Sequence, residues 1–137
     1  MKFIPFIIPL TAVFGSASSV LVGYDPEYDN PAALSDAVAC YGALKAKDSK
    51  YTTFGSLPSF PYIGGAYAVK GSNSPSCGSC WKLSYANKAI HVAAIDSDGE
   101  GFNIAKAALV ELGGQEAVDA GKISASATQV DGSKCGF

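Results

Sequence analysis

The sequence has few of the residues that most hydrolases and nucleic-acid-binding proteins use. It contains one histidine, His91, and its 10 basic residues are outnumbered by 12 acidic ones, which gives a formal net charge of −2. No run of basic residues could follow a phosphate backbone, so we do not expect nucleic acid as a partner. His91 has no Ser or Cys motif beside it and no G-x-S-x-G sequence occurs, which disfavours a catalytic triad.

Long apolar runs are also scarce, and the most prominent one lies at the N-terminus. Lys2 precedes an apolar run from Phe3 to Phe14, which Pro5 and Pro9 interrupt and small residues follow. This run is shorter than the roughly 20 residues that a bilayer span needs, so we predict a secretory signal peptide over residues 1–18. Residues 19–137 then form one secreted domain, in which we predict no membrane span.

Cysteine is limited to four residues, and the Cys-x-x-Cys pair Cys77 and Cys80 suits a redox site, half of a metal site or two disulfide anchors. An even number of cysteines in a secreted chain favours disulfides. A loop-like segment precedes the pair, and Cys40 and Cys135 are isolated, so redox and zinc sites are disfavoured and no metal or cofactor is predicted. Three pairings stay open, and those that join the pair to distant partners would stabilise the fold by about 4 kcal/mol per bond.

The remaining pattern predicts a mainly β domain with short helices. Asn30-Pro31 and the apolar spacing after it predict a first helix near residues 31–40. A second helix is predicted over 103–112, capped by Asn103 and ended by Gly113-Gly114, and a shorter one follows over 115–120. After an extended arm at 24–29, short β-like runs occur at 51–54, 66–70, 81–85, 89–95 and 122–130. We therefore predict a β-barrel of about six strands with peripheral helices.

The acidic segment IDSDGEGFN follows an apolar strand and contains Asp96, Asp98 and Glu100 at alternate positions. It resembles the start of an EF-hand loop, but Ala107 stands where the bidentate glutamate should be, which disfavours calcium. Two interpretations of Asp96 stay open: a functional carboxylate at the mouth of the fold, or a residue that caps the loop. No second acid obviously faces Asp96, so hydrolysis of a glycosidic bond lacks support.

Five segments, in order across nearly the whole mature chain, resemble the cerato-platanin family of small secreted fungal proteins: YDPEYD, KYTTFGSLPSFPYIGG, NSPSCGSCWKLSY, AIDSDGEGFNIA and ATQVDGSKCGF. The resemblance implies a six-stranded double-ψ β-barrel related to expansins and barwin proteins. It also implies disulfides Cys40–Cys77 and Cys80–Cys135. Such proteins are non-hydrolytic, bind chitin oligomers or loosen cellulose, and elicit plant defence.

The resemblance also implies a carbohydrate-binding groove. Asp96 matches the carboxylate that expansins and related endoglucanases keep in this groove. The other residues that the resemblance places in or near the groove are Tyr51, Thr52, Thr53, Tyr62, Asn73 and Gln129. The negative charge of Asp98 and Glu100 would not repel neutral N-acetylglucosamine chains, but it would disfavour acidic pectin.

Taken together, the resemblance leads us to expect a protein of the extracellular space and the fungal cell wall that is not an enzyme. Its expected partners are chitin or cellulose and a plant receptor. We expect a monomer, with self-assembly as a further option. A weak endoglycosidase and a surface-active structural wall protein are the alternative functions.

Overall fold

The computed structural model describes residues 16–137, in which six strands close into a barrel. The strands are β1 Ser18–Tyr24, β2 Ile63–Ala66, β3 Cys80–Tyr85, β4 Lys88–Ser97, β5 Phe102–Ile104 and β6 Lys122–Val130. Their order around the barrel is β1-β5-β2-β4-β3-β6. The pairs β1–β5 and β2–β4 are parallel, and the other four are antiparallel. The prediction of a six-stranded barrel is confirmed.

Most of the predicted signal peptide lies in residues 1–15, outside the described residues. β1 begins at Ser18, which pairs with Ala127 of β6. The predicted start of the mature domain at residue 19 therefore falls at the beginning of this strand. That boundary stays a prediction.

The strands follow the apolar patterns of the sequence. In β6, Ile123, Ala125 and Ala127 are buried while the serines between them are exposed, as expected of a strand with one face on the core. β4 lies between β2 and β3, and four successive residues at its centre, 92–95, are buried. The predicted strands at 81–85, 89–95 and 122–130 are therefore confirmed, with small changes at their ends.

The first predicted helix is wrong, because residues 31–40 form turns and a short 3-10 helix at Ser35–Ala37. The helix α1 starts later and spans Tyr41–Lys47. The backbone of the earlier segment pairs instead with the segment at 52–54: the Ser35 N–H donates to the Thr52 oxygen and the Phe54 N–H to the Ala33 oxygen, each at 2.9 Å. This long-range pairing outweighs the local helical spacing.

The second helix, α2, spans Lys106–Ala120 and not 103–112. Asn103 is not its cap, because it lies in β5. Asp29 caps the helix from 77 residues away, and its carboxylate accepts the N–H groups of Lys106 at 2.6 Å and Ala107 at 2.8 Å. Gly114 breaks α2 with φ 77° and ψ 179°, so the two predicted helices correspond to the two parts of one interrupted helix.

Two predicted β-like runs differ from the structure. Residues 51–54 contribute only an isolated bridge between Leu34 and Thr53, and a 3-10 helix follows at Phe54–Ser56. The run at 66–70 begins where β2 ends, because β2 contains the glycines Gly64 and Gly65. A Cβ atom at Gly64 would overlap the backbone of Asn103, so a residue without a side chain lets β2 and β5 pair closely.

Two disulfides close the domain, Cys40–Cys77 and Cys80–Cys135, which is the pairing that the family resemblance implies. They span 37 and 55 residues, so each stabilises the fold by about 4 kcal/mol in the chain-entropy model. The Cys-x-x-Cys pair thus anchors the segment before α1 to the turn that precedes β3, through Cys77, and the C-terminal end to the first residue of β3, Cys80. Across residues 16–137, no helix is both long enough and apolar enough to cross a membrane.

Candidate functional site

Asp96 lies at the carboxyl end of β4, where the chain leaves the barrel core. Three donors hold its carboxylate. The Tyr28 hydroxyl donates to Oδ2 at 2.8 Å, and the N–H groups of Ala39 and Ser97 donate to Oδ1 at 3.0 and 2.9 Å. A carboxylate offers about four acceptor sites. Three of these sites are used, which leaves about one on Oδ2, and the residue as a whole is half-buried.

Tyr28, one of the three donors, is a buried residue whose ring packs in the core. Its side chain is 7% exposed, and its ring packs against Phe54 with the centroids 5.9 Å apart. Burial raises the pKa of the Tyr28 hydroxyl well above its usual range, and the charge and hydrogen bond of Asp96 raise it further, with smaller effects from Asp25 and Asp98. The hydroxyl therefore stays protonated and keeps donating to Asp96 across the physiological pH range.

Asp98 is a second half-buried carboxyl group in the same region. Burial raises its pKa, while hydrogen bonds from the backbone of Gly99 and Glu100 act in the opposite direction. The charges of Asp25 and Asp98 also raise the pKa of Tyr28, but less than burial and Asp96 do. Among residues 16–137, no group of three or more His, Cys, Asp or Glu side chains is arranged to hold a metal ion.

A second polar residue, Asn103, lies in the same row of paired residues across the sheet as Asp96. Gly65 of β2 pairs with Asp96 on one side and with Asn103 of β5 on the other, and Asn103 pairs in turn with Gly23 of β1. Neighbouring strands lie about 4.8 Å apart, so Asp96 and Asn103 are about 10 Å apart across the sheet. Protein atoms fill the space above both glycines: the Ser97 backbone lies over Gly65, and the Asn103 side chain lies beside Gly23.

One open cavity adjoins the Asn103 and Gly23 end of this row, and a second lies beside the first; Asp96 itself lines neither of them. One of about 490 Å³ is lined by Tyr24, Asp98, Asn103 and Lys122, and one of about 480 Å³ is lined by Tyr67 and Lys70. Both include Leu21, Gly99 and Glu100, so they flank one loop. We call Asp96, Asn103 and these two cavities the acidic groove. Each cavity falls within the roughly 300–1,000 Å³ range of small-molecule sites.

The predicted site residues are only partly brought together. Residues 51–53 reach the Asp96 network indirectly, since the adjacent Phe54 packs against Tyr28. Gln129 pairs with Trp81, which pairs with Val92 of β4, four residues before Asp96 and about 13 Å away along the strand.

Two other predicted residues lie in separate hollows. Tyr62 lines a cavity with His91 and Lys134, and Asn73 lines a shallow hollow formed by residues 70–74. Neither hollow includes a residue of the acidic groove other than Lys70.

Sequence reasoning missed Tyr28 and Asn103 as site residues. Tyr28 is 68 positions from Asp96, and no local pattern links them. Asn103 has the sequence context of a helix cap, and only the pairing of β5 with β2 shows that it belongs to the sheet. The signal that could have found it is the matched pair of glycines at 64 and 65, which predicts a close strand approach.

A sequence model of the cerato-platanin family matches residues 20–137, nearly all of the described chain. The chain belongs to the cerato-platanin family. Allergen Asp f 15 of Aspergillus fumigatus is 43% identical over 119 residues, which cover 87% of this chain and 78% of that protein. Cerato-platanin of Ceratocystis fimbriata f. sp. platani is 36% identical over 137 residues, covering 98% of this chain and 96% of that protein.

Solved structures of cerato-platanins share the fold. The crystal structure of cerato-platanin 2 from M. perniciosa superposes with a TM-score of 0.82 at 38% identity, covering 88% of this chain and 100% of that one. The solution structure of the fungal elicitor cerato-platanin gives 0.70 at 36% identity, with coverages of 85% and 96%. The Streptomyces papain inhibitor, at 0.54 and 15% identity, is similar in fold alone.

Proposed function

We propose that this protein is secreted and binds neutral cell-wall polysaccharide, chitin or N-acetylglucosamine oligomers above all, in the acidic groove. The observation that carries the proposal is the Asp96 carboxylate, which three donors fix in place although it remains half-exposed. A fixed acceptor loses little conformational entropy when a sugar hydroxyl donates to it. Its orientation therefore favours carbohydrate binding.

The rest of the groove supplies complementary chemistry. Asn103 offers both amide donors and an acceptor, and Tyr24 offers a half-buried ring for the apolar face of a sugar. Asp98 and Glu100 make the loop negative, which a neutral glycan tolerates and an acidic one does not. These features favour chitin-type chains as ligands, with cellulose as the other neutral candidate.

We propose that the protein loosens contacts between polysaccharide chains without cleaving them. All three donors around Asp96 favour a role as hydrogen-bond acceptor. One observation favours the alternative of a weak endoglycosidase: burial raises the pKa of Asp98, which lies two residues after Asp96, and glycosidases use two carboxyl groups, of which the general acid has a raised pKa. The test below includes product formation for this reason.

We further propose that the protein acts outside the fungal cell, including at the cell wall, and that a plant host recognises it as an elicitor. Support comes from family membership and from the relative of known structure that is described as a fungal elicitor. A plant receptor is the partner that this role requires.

The proposal predicts that Asp96→Ala weakens binding of N-acetylglucosamine oligomers by about 1–3 kcal/mol, because a charged hydrogen bond is lost. Asp96→Asn should weaken binding less, since the amide keeps an acceptor. Asp131→Asn, which changes an exposed carboxylate outside the groove, is the matched control and should bind as the wild type does.

Calorimetric titration measures the affinities, and filter-paper loosening and reducing-end release are measured on the same samples. Wild-type affinity and loosening by a folded Asp96→Ala protein would refute the assignment of the groove. Sustained reducing-end release that Asp98→Asn abolishes would establish the endoglycosidase instead.

A further inference from the structure

The cavity that Tyr62 lines with His91 and Lys134 lies away from the acidic groove, at the other end of β4. It has a volume of about 460 Å³ and is formed by the turn before β2, the start of β4, α2 and the C-terminal 3-10 helix. His91 of this cavity lies five residues before Asp96 on β4, which corresponds to about 16 Å. We call this cavity the Lys134 cavity. Neither polysaccharide binding in the acidic groove nor packing of the core uses it.

The wall of the Lys134 cavity combines aromatic and polar groups. Phe60 and Tyr62 are half-buried, so part of each ring faces the opening, and His91 is half-buried beside them. The Ser59 hydroxyl oxygen is fully buried and has no hydrogen-bond partner within residues 16–137. An apolar wall with a few polar groups, one of them unsatisfied, is typical of a ligand site.

The Lys134 cavity and the acidic groove differ in charge. Its one acidic residue, Glu111, is offset by an ion pair with Lys88 at 3.5 Å. Lys134 forms no ion pair within the described part of the chain. Asp131 is close enough for Lys134 to lower its pKa, but it does not line the cavity. The cavity therefore presents the exposed positive charge of Lys134 next to two aromatic rings, which favours a ligand that bears a negative charge.

We propose that the Lys134 cavity binds a short carboxylated saccharide, of the uronic-acid class, independently of the acidic groove. The aromatic rings contact the apolar faces of the sugar, Lys134 pairs with its carboxylate, and His91 reaches its hydroxyl groups. A phosphorylated ligand fits less well, since recognition of phosphate usually draws on several cations or an arginine fork, and the chain contains no arginine.

The test uses trigalacturonic acid and its methyl ester, which keeps the shape of the sugar but has no charge, as probes of the full secreted protein. We expect the acid to bind and to shift backbone amides of residues 58–62, 89–91 and 134–136. Lys134→Gln should weaken binding of the acid about threefold to tenfold and leave binding of the ester unchanged. Tyr62→Leu should weaken binding of both probes.

The control variant is Lys50→Gln, which removes an exposed lysine outside both the Lys134 cavity and the acidic groove and should bind trigalacturonic acid within twofold of the wild type. Equal weakening by Lys50→Gln and Lys134→Gln would show a nonspecific charge effect and overturn the proposal. Absence of binding, amide shifts confined to residues 98–103, or equal affinity for the acid and the ester would also overturn it. N-acetylglucosamine oligomers test the acidic groove separately, so either proposal can fail alone.

Discussion

Tyr28→Phe tests whether a buried hydroxyl holds Asp96 in place. The substitution keeps the ring, which packs against Phe54, and removes only the donor that reaches Asp96 Oδ2 at 2.8 Å. Hydrogen bonds to charged groups contribute about 1.5–3 kcal/mol, and water can rehydrate the half-exposed carboxylate. We therefore expect Tyr28→Phe to lower the free energy of unfolding at pH 8 by about 1–2 kcal/mol.

The effect should depend on pH in a defined direction. Burial first, and the charge of Asp96 second, raise the pKa of Tyr28 above its ordinary value, so the folded protein keeps a proton that the unfolded chain loses near pH 10. Its contribution to stability is complete below that pH. Above it, the wild type loses about 1.4 kcal/mol of stability per pH unit relative to Tyr28→Phe. The two proteins should become equally stable at about pH 11.

Urea unfolding followed by the fluorescence of Trp81, the single tryptophan, measures this difference at several pH values. The difference between the free energies of unfolding of the two proteins does not include the titration of the lysines, because both proteins contain the same lysines. The ultraviolet absorbance of phenolate gives a second readout. The Tyr28 hydroxyl should fail to ionise until the protein unfolds, and Tyr28→Phe should lack the absorbance change that accompanies this ionisation. A stability difference that stays constant from about pH 8 to pH 11 would refute the reasoning.

Two further predictions concern the frame of the acidic groove. Asp29→Ala should lower the free energy of unfolding, measured in urea, by about 1–2 kcal/mol, because two N–H groups at the start of α2 lose their acceptor. Asp36→Ala, which removes an exposed acid outside α2, should change it by less than about 0.5 kcal/mol. Equal effects would contradict the long-range cap. Gly101→Ala should lower the free energy of unfolding by about 2–4 kcal/mol, because Gly101 has φ +93° and a Cβ atom there would overlap the Leu21 carbonyl oxygen. Gly99 has open space around it, so Gly99→Ala should lower it by less than about 1 kcal/mol. A tolerated Gly101→Ala would contradict the close approach of this loop to β1.

The sequence predicts those elements whose structure depends on local pattern. The alternating apolar residues of β6 and the β-like runs at 81–85 and 89–95 are clear local signals, and the strands β3, β4 and β6 form as expected. The helix predicted near 31–40 fails because its backbone pairs with residues 52–54, which local spacing cannot show. Asn103 is misassigned for the same reason, since an N-cap pattern and a short central strand look alike until β2 pairs with β5.

The candidate site depends even more on long-range contacts. Asp96 stands out in the sequence because an acid follows four apolar residues, and this position at the end of β4 is where the structure places it. Its partners Tyr28 and Ala39 are 68 and 57 residues away, so its hydrogen-bond network could not be predicted. Three pairings of the four cysteines are likewise open by spacing alone, and the family resemblance is needed to choose the one that the structure contains.

The most direct test of the acidic groove is a titration of isotope-labelled protein with N-acetylglucosamine oligomers, followed by the backbone amide signals. The account predicts that the largest shifts occur at Gly23, Gly65, residues 96–100 and Asn103, which line one row and the loop beside it. Shifts of the amides around Lys134 should be small. Saturable binding with its largest shifts outside the groove, or no shifts at all, would contradict the account.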